Sequence, residues 1–145
     1  MTVSRSHRVD IVNEEVEIAR AFVVAAKQAR FIALLANPKR RRRATATLAH
    51  FRDWDPRRVV TIPPAEQDPA AILRMLQGKG AGDSCHLISE ASGLDGRRLA
   101  LAAALDSVVG QGMGTVVSCV AGRLAYYEGE DPADRCLLVR STTDQ

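Results

Sequence analysis

The sequence predicts an α/β domain: two N-terminal helices, then a βαβαβββ mixed sheet with helices packed on it, an α+β arrangement being the alternative. Three observations carry this expectation. Apolar residues recur at helical spacing over residues 9–36. Beyond residue 57, short β-branched runs alternate with Ala- and Leu-rich helical stretches. Near the C-terminus, two strand-like runs flank Ala121-Gly122, a tight hairpin signal. With 145 residues, 46% of them hydrophobic, the chain reads as one globular domain over 1–145. Its helical part spans about 9–52 and its α/β part about 57–141, and a chain of this size buries roughly two-thirds of its unfolded surface.

The first helix is expected from Val9 to Ala36. Ile11, Ile18, Phe22, Ala25, Ala29 and Ile32 share one flank, whereas Val16, Val23, Val24, Phe31, Leu34 and Leu35 spread onto others. After residue 18 only Arg20, Lys27 and Gln28 mark a narrow polar stripe. A helix apolar round most of its circumference must be covered on several sides, so it is either central or part of a homodimer interface. Asn37 reads as an N-cap and Pro38 as a first-turn proline of a second helix to about Phe51, with Ala44, Leu48 and Phe51 inward.

Arg58–Ile62 is β-branched and stops at Pro63-Pro64, as a strand would. Asp68-Pro69 caps a helix to about Gly78 that turns Ile72, Leu73 and Leu76 inward. Ser84–Glu90 is the second strand, and Asp95-Gly96 opens a helix from Arg97 to about Gln111. Thr115–Val120, Arg123–Glu128 and Cys136–Arg140 complete five strands before a polar tail. Right-handed crossovers would make the first three strands parallel and the fourth antiparallel.

Composition excludes several classes of function. The most apolar stretch, Ile18–Ala36, is interrupted by Arg20, Lys27 and Arg30, so no membrane span is expected. The first residues lack the apolar core of a secretion signal. Cys85, Cys119 and Cys136 form no CxxC pair, which points to a reducing, cytoplasmic setting. His7, His50 and His86 offer no zinc-binding spacing, so neither metal nor cofactor is expected. Gly78–Ser84 and Gly110–Gly114 resemble phosphate loops only superficially. Both follow a helix and precede a strand, the reverse of the order in which a helix N-terminus meets phosphate.

Ligands in open α/β sheets bind outside the carboxyl ends of parallel strands. That rule gathers Ser89, Glu90, Asp95, Cys119 and Arg123 at one edge. Glu90 would act as a base, Cys119 as a nucleophile, and Arg123 would hold a phosphate or carboxylate, with Ser89 and Asp95 completing the ligand site. Simpler roles compete: Asp95 as an N-cap, Cys119 as a core residue, and His86 as a hydrogen-bonded core histidine. Glu128, Glu130 and Asp131 form an acidic turn placed at the edge away from Glu90.

The strongest compositional signal is Lys39-Arg40-Arg41-Arg42-Arg43. From Pro38 to Arg58, eight basic residues face only Asp53 and Asp55, a net +6. At helical steps these arginines point in several directions, so they cannot all read one DNA groove. They could form a solvated helix junction, pair with Glu14-Glu15-Glu17 or a partner protein, or contact phosphates together with Arg52, Arg57 and Arg58. The leading functional reading is a non-catalytic binding or regulatory module that meets an anionic partner, nucleic acid or acidic protein, through residues 38–58. A small-ligand or phosphate-handling enzyme using the sheet edge is the second reading, and a homo-oligomeric assembly protein is the third.

Overall fold

In the computed structural model, the backbone is described for residues 5–141 and side-chain environments for residues 13–141. The expectations placed on Val9, Ile11 and the tail after Ser141 therefore lie, in whole or in part, outside the described residues. The N-terminal helix is broken in two: α1 covers Arg5–Phe22 and α2 Ala25–Ala36. Val23-Val24 is the break. Tandem β-branched residues are poor helix formers, and here they go extended and take strand-like bonds instead. Val23 forms an isolated antiparallel bridge with Trp54. The Val24 N–H donates to the Asp53 carbonyl at 2.8 Å, and the Asp55 N–H donates to the Phe22 carbonyl at 2.7 Å. The break also splits the apolar flank: Ile18 and Phe22 are fully buried, whereas Ala25 and Ala29 are exposed.

Helix α3, Arg41–Thr47, begins a turn later than an Asn37 cap implies. Asn37 instead folds its side chain over the turn and accepts the Lys39 N–H at 3.0 Å. A 3-10 turn over Leu48–His50 completes the segment, and Ala44, Leu48 and Phe51 are buried as expected. Next come β1 (Val59–Thr61) and α4 (Pro69–Gly78), with Asp68 capping α4 by accepting the Ala71 N–H at 2.9 Å. The remaining elements are β2 (Ser84–Ser89), β3 (Arg98–Ala100), α5 (Leu101–Val108), β4 (Thr115–Val120), β5 (Leu124–Glu128) and β6 (Cys136–Val139).

The six strands form one sheet in the order β1-β6-β5-β4-β2-β3, every neighbouring pair antiparallel. The architecture is α+β, and the expected mixed sheet with parallel crossovers is not formed. The physical reason is β3, three residues that the Ala- and Leu-rich context makes look helical. It returns the chain beside β2, pairing Ser84 with Ala100 and His86 with Arg98. Helix α5 therefore starts at the Ser84 end, where the Leu101 N–H donates to the Asp83 carbonyl at 2.7 Å. It delivers β4 to the Ser89 end, antiparallel to β2.

Both faces of the sheet are covered. On one, α1, α2 and the 3-10 turn after α3 pack Ile18, Phe22, Phe31, Leu35 and Leu48 against Ile88, Val116, Ala125 and Tyr127. An aromatic chain runs through this layer, Phe31–Phe51–Trp54–Tyr127, with ring centroids 5.3, 4.3 and 5.1 Å apart. On the other, α4 and α5 pack Ile72, Leu76, Leu101 and Leu105 against Cys85, Leu87, Val117 and Tyr126. The alternation of side chains along each strand supplies both layers at once. No described helix is long and apolar enough to cross a membrane.

Candidate functional site

Helix α3 buries Ala44 and Thr45, the 3-10 turn after it buries Leu48, and the residue one turn before Ala44 and Thr45 on that face is Arg41. This one arginine of the basic run is thereby aimed into the protein. Its Nη1 and Nη2 donate to the two oxygens of Glu15, each at 2.7 Å. Its Nε and Nη2 donate to Asp95 at 2.7 and 3.1 Å, and Nη1 also reaches the Leu35 carbonyl at 3.2 Å. Glu15 is fully engaged: His86 Nε2 lies 2.7 Å from Oε2, inside a ring with no solvent exposure. Because an ionised carboxylate only accepts, Nε2 must carry the proton. A second acid extends the cluster, since Glu14 accepts from Ser118 Oγ at 2.8 Å and from Arg98 Nη2 at 2.5 Å.

Burial opposes ionisation of Glu15, but its hydrogen bonds from Arg41 and His86 outweigh burial and hold its carboxyl below the ordinary range. Conversely, Glu15 and then Asp95 hold Arg41 firmly protonated against the cost of burying it. The cluster joins α1, α3, β2 and the β2–β3 loop. With Glu15 side-chain exposure at 5% and His86 at zero, its central acid and imidazole are closed to a substrate. It is a fastening between layers.

The structure separates the edge residues that the sequence groups together. Ser89, Glu90 and Asp95 stay at one end. The Ser89 N–H donates to Asp95 Oδ1 at 3.0 Å, so Asp95 braces the β2–β3 loop and Arg41; it caps no helix, because β3 stands where that helix was expected. Ser89 Oγ pairs with Thr115 Oγ1 at 2.7 Å and accepts the Ala91 N–H at 3.0 Å. Glu90 clasps Gly114 twice: its N–H donates to the Gly114 carbonyl at 2.9 Å, and its carboxylate accepts the Gly114 N–H at 3.1 Å.

Cys119 and Arg123 lie at the other end, since β4 runs from Thr115 beside Ser89 to Ser118 beside His86. Glu90 and Arg123 are thus separated by the length of a strand. Burial pushes the Cys119 thiol up to about 12, which leaves it protonated at neutral pH. Arg123 and Lys79 instead border a cleft of about 350 Å³ with Val120, Leu124 and Val139.

Glu128 is also relocated. Thr115 pairs with both Ser89 and Glu128, so Glu128 stands at the same edge as Glu90 and not the opposite one. It is fully buried and accepts the N–H groups of Gly110 and Gly112 at 3.0 and 2.8 Å and the Tyr126 hydroxyl at 2.7 Å. The Gly110–Gly114 loop does cradle an anion, but the anion is the protein's own carboxylate.

The rest of the basic segment remains outside. Lys39, Arg40, Arg42 and Arg43 are exposed, and their side chains have no partner among the described residues. Arg57 folds onto Asp55, with Nη2 donating to Oδ2 at 2.8 Å, and half-buried Arg58 is also engaged. On α2, Lys27 and Arg30 are likewise exposed and unpaired among the described residues. The inward turn of Arg41 was legible in its spacing to Ala44 and Leu48. The convergence of Lys27 and Arg30 with Thr47 and Phe51 on one recess was not, because it depends on the break at Val23-Val24. Among the described residues no group of three His, Cys, Asp or Glu side chains is placed to hold a metal ion. Comparison with protein families, curated proteins and solved structures gives no match to this chain.

Proposed function

We propose that the protein is a non-catalytic binding module that contacts the phosphate backbone of a nucleic acid through the α2–α3 turn. The observation that carries this reading is the unequal fate of the basic run. Arg41 is consumed by Glu15 and Asp95, while Lys39, Arg40, Arg42 and Arg43 stand exposed without an acidic partner among the described residues. Arginine forks suit phosphate oxygens. Four cations on a turn and a seven-residue helix point too many ways to read base edges, so the contact would be independent of sequence. The separation of Glu90 from Cys119 and Arg123 speaks against the catalytic alternative.

Fluorescence anisotropy with a labelled 20-mer duplex between 50 and 200 mM salt tests the proposal. Each phosphate neutralised contributes about −0.9 to the slope of log K against log salt. Replacing Arg40, Arg42 and Arg43 together by Gln should make that slope shallower by about 2.7. No binding at the lowest salt, or an unchanged slope in the triple variant, would reject the reading. Tighter binding of poly-glutamate than of the duplex would transfer the surface to an acidic protein partner.

A further inference from the structure

The break at Val23-Val24 has a consequence on the outer side of the N-terminal layer. It turns α2 so that Lys27, Arg30, Phe31 and Leu34, at positions i, i+3, i+4 and i+7, form one face. Against that face the chain returns from α3 through Phe51 to Asp53, held by the Val24–Asp53 bond. Between them lies a cavity of about 360 Å³, within the range of small-molecule pockets. Its floor is apolar: Phe31 and Phe51, with ring centroids 5.3 Å apart, and half-buried Leu34 beside them.

The charges on its rim decide what would fit. His50 Nε2 lies 2.7 Å from Glu130, and Arg52 Nη1 donates to Asp134 at 2.9 Å, so both are turned toward acids of the chain. Lys27 and Arg30 have no such partner among the described residues, and the only acid lining the cavity is half-buried Asp53. Two unneutralised cations against one carboxylate leave a positive rim over an apolar floor.

We infer that this cavity is a binding site for a small organic monoanion with an apolar body. A carboxylate, sulfonate or phosphodiester would take charge-assisted hydrogen bonds from Lys27 and Arg30 while its hydrocarbon part covers Phe31, Leu34 and Phe51. Asp53 acts against the anion and weakens its binding. The site does not rest on the nucleic-acid reading, since it uses none of Lys39, Arg40, Arg42 or Arg43.

The test is a fluorescence titration of the full chain with 8-anilinonaphthalene-1-sulfonate, followed by displacement with decanoate and, separately, with decanol. The expected result is one saturable site displaced by decanoate and much less well by the neutral alcohol. Lys27→Gln with Arg30→Gln should weaken binding by at least about 10-fold, the effect of losing two charge-assisted bonds. Asp53→Asn should tighten it, and Leu34→Trp, which fills the recess, should abolish it in a chain whose melting curve stays cooperative. The K27Q/R30Q pair changes only exposed side chains, so it keeps the test decisive if L34W does not fold. An absence of saturable binding, an affinity unchanged in K27Q/R30Q, or equal displacement by decanol would overturn the assignment. The R40Q/R42Q/R43Q chain should bind the dye as the parent does, so failure of the phosphate reading and failure of this one are separable.

Discussion

Side by side on β2, His86 and Leu87 are both fully buried, yet they look onto opposite layers and meet different kinds of contact there. Leu87 faces α4 and α5 among Leu76, Leu101 and Leu105, where apolar area and close packing do the holding. His86 faces α1 and α3, where it meets Glu15, and Glu15 meets Arg41 and through it Asp95. An apolar contact is indifferent to protonation. A buried ion pair is not, and it is expensive to break because each partner left behind is a charge out of water. At this strand the N-terminal layer therefore adds a protonation-dependent link to its apolar packing, whereas Leu87 meets the C-terminal layer through apolar contacts. The N-terminal layer also carries the exposed Lys39, Arg40, Arg42 and Arg43 and the cavity beside Phe31.

The largest expected effect bears on how closely the N-terminal layer is seated. Gly114, at the start of β4, has no room for a side chain: a Cβ there would lie 2.2 Å from the Ala49 nitrogen and 2.3 Å from the Leu48 carbonyl carbon. Both are backbone atoms of the 3-10 turn that ends the α3 segment, so no rotamer change relieves the clash. Gly114→Ala should cost more than about 4 kcal/mol or prevent folding, measured by denaturant unfolding. A loss below about 1 kcal/mol would mean that this layer sits less tightly than the contact implies.

Next in size is Arg41→Ala, which strips Glu15 and Asp95 of their cation together. With the Arg41 side chain 22% exposed, the expected loss is about 3 kcal/mol, at the low end for breaking a buried pair. Leu105→Ala on the opposite layer should cost a similar amount, about 3 kcal/mol, by leaving a cavity. The two variants separate by pH: the Leu105 loss should be independent of pH, while the Arg41 loss should shrink as pH falls from 4.5, where the stability held by the ionised Glu15 begins to be lost. Arg43→Ala, exposed and unpaired among the described residues, should stay within about 0.5 kcal/mol of the parent. Equal costs for Arg41 and Arg43 would erase the distinction between the inward and outward members of the run.

What was legible in the chain divides along the same line. The α4 layer could be read locally: Asp68-Pro69 announces its cap, Ile72 and Leu76 its buried face, and Ala121-Gly122 the hairpin beneath it. Pairing of the arginine run with the Glu14–Glu17 cluster was also within reach, as charge complementarity. The direction of β4 was not. It turns on β3, whose three residues bond to β2 through backbone groups and carry no side-chain pattern of their own. One short return strand reverses α5 and β4, and so sends Cys119 and Arg123 to one end of the sheet and Glu128 to the other. Edge strands this short are specified by tertiary pairing, so a local reading gives Arg98–Ala100 to the helix that follows.

The sharpest test of the comparison concerns acid. Glu15 titrates below its ordinary value of 4.5 in the folded protein because Arg41 and His86 outweigh the opposing effect of burial. A group whose folded pKa is depressed binds protons more readily in the unfolded chain. The stability it contributes is therefore complete well above pH 4.5 and is lost as pH falls from there through the folded value. Glu15→Gln removes the charge and sets an amide N–H₂ among donors, so it should cost about 2 kcal/mol at pH 7, the worth of a hydrogen bond to a charged group. That difference between parent and variant should narrow steadily as pH is lowered through 4.5 toward 3. Other carboxylates also titrate there, Asp55 among them through its bond to Arg57, but they do so in both chains and cancel in the difference. Parallel stability curves from pH 7 to pH 3 would show that Glu15 does not join the layers as a charge. The two faces of the sheet would then differ in composition without differing in what holds them.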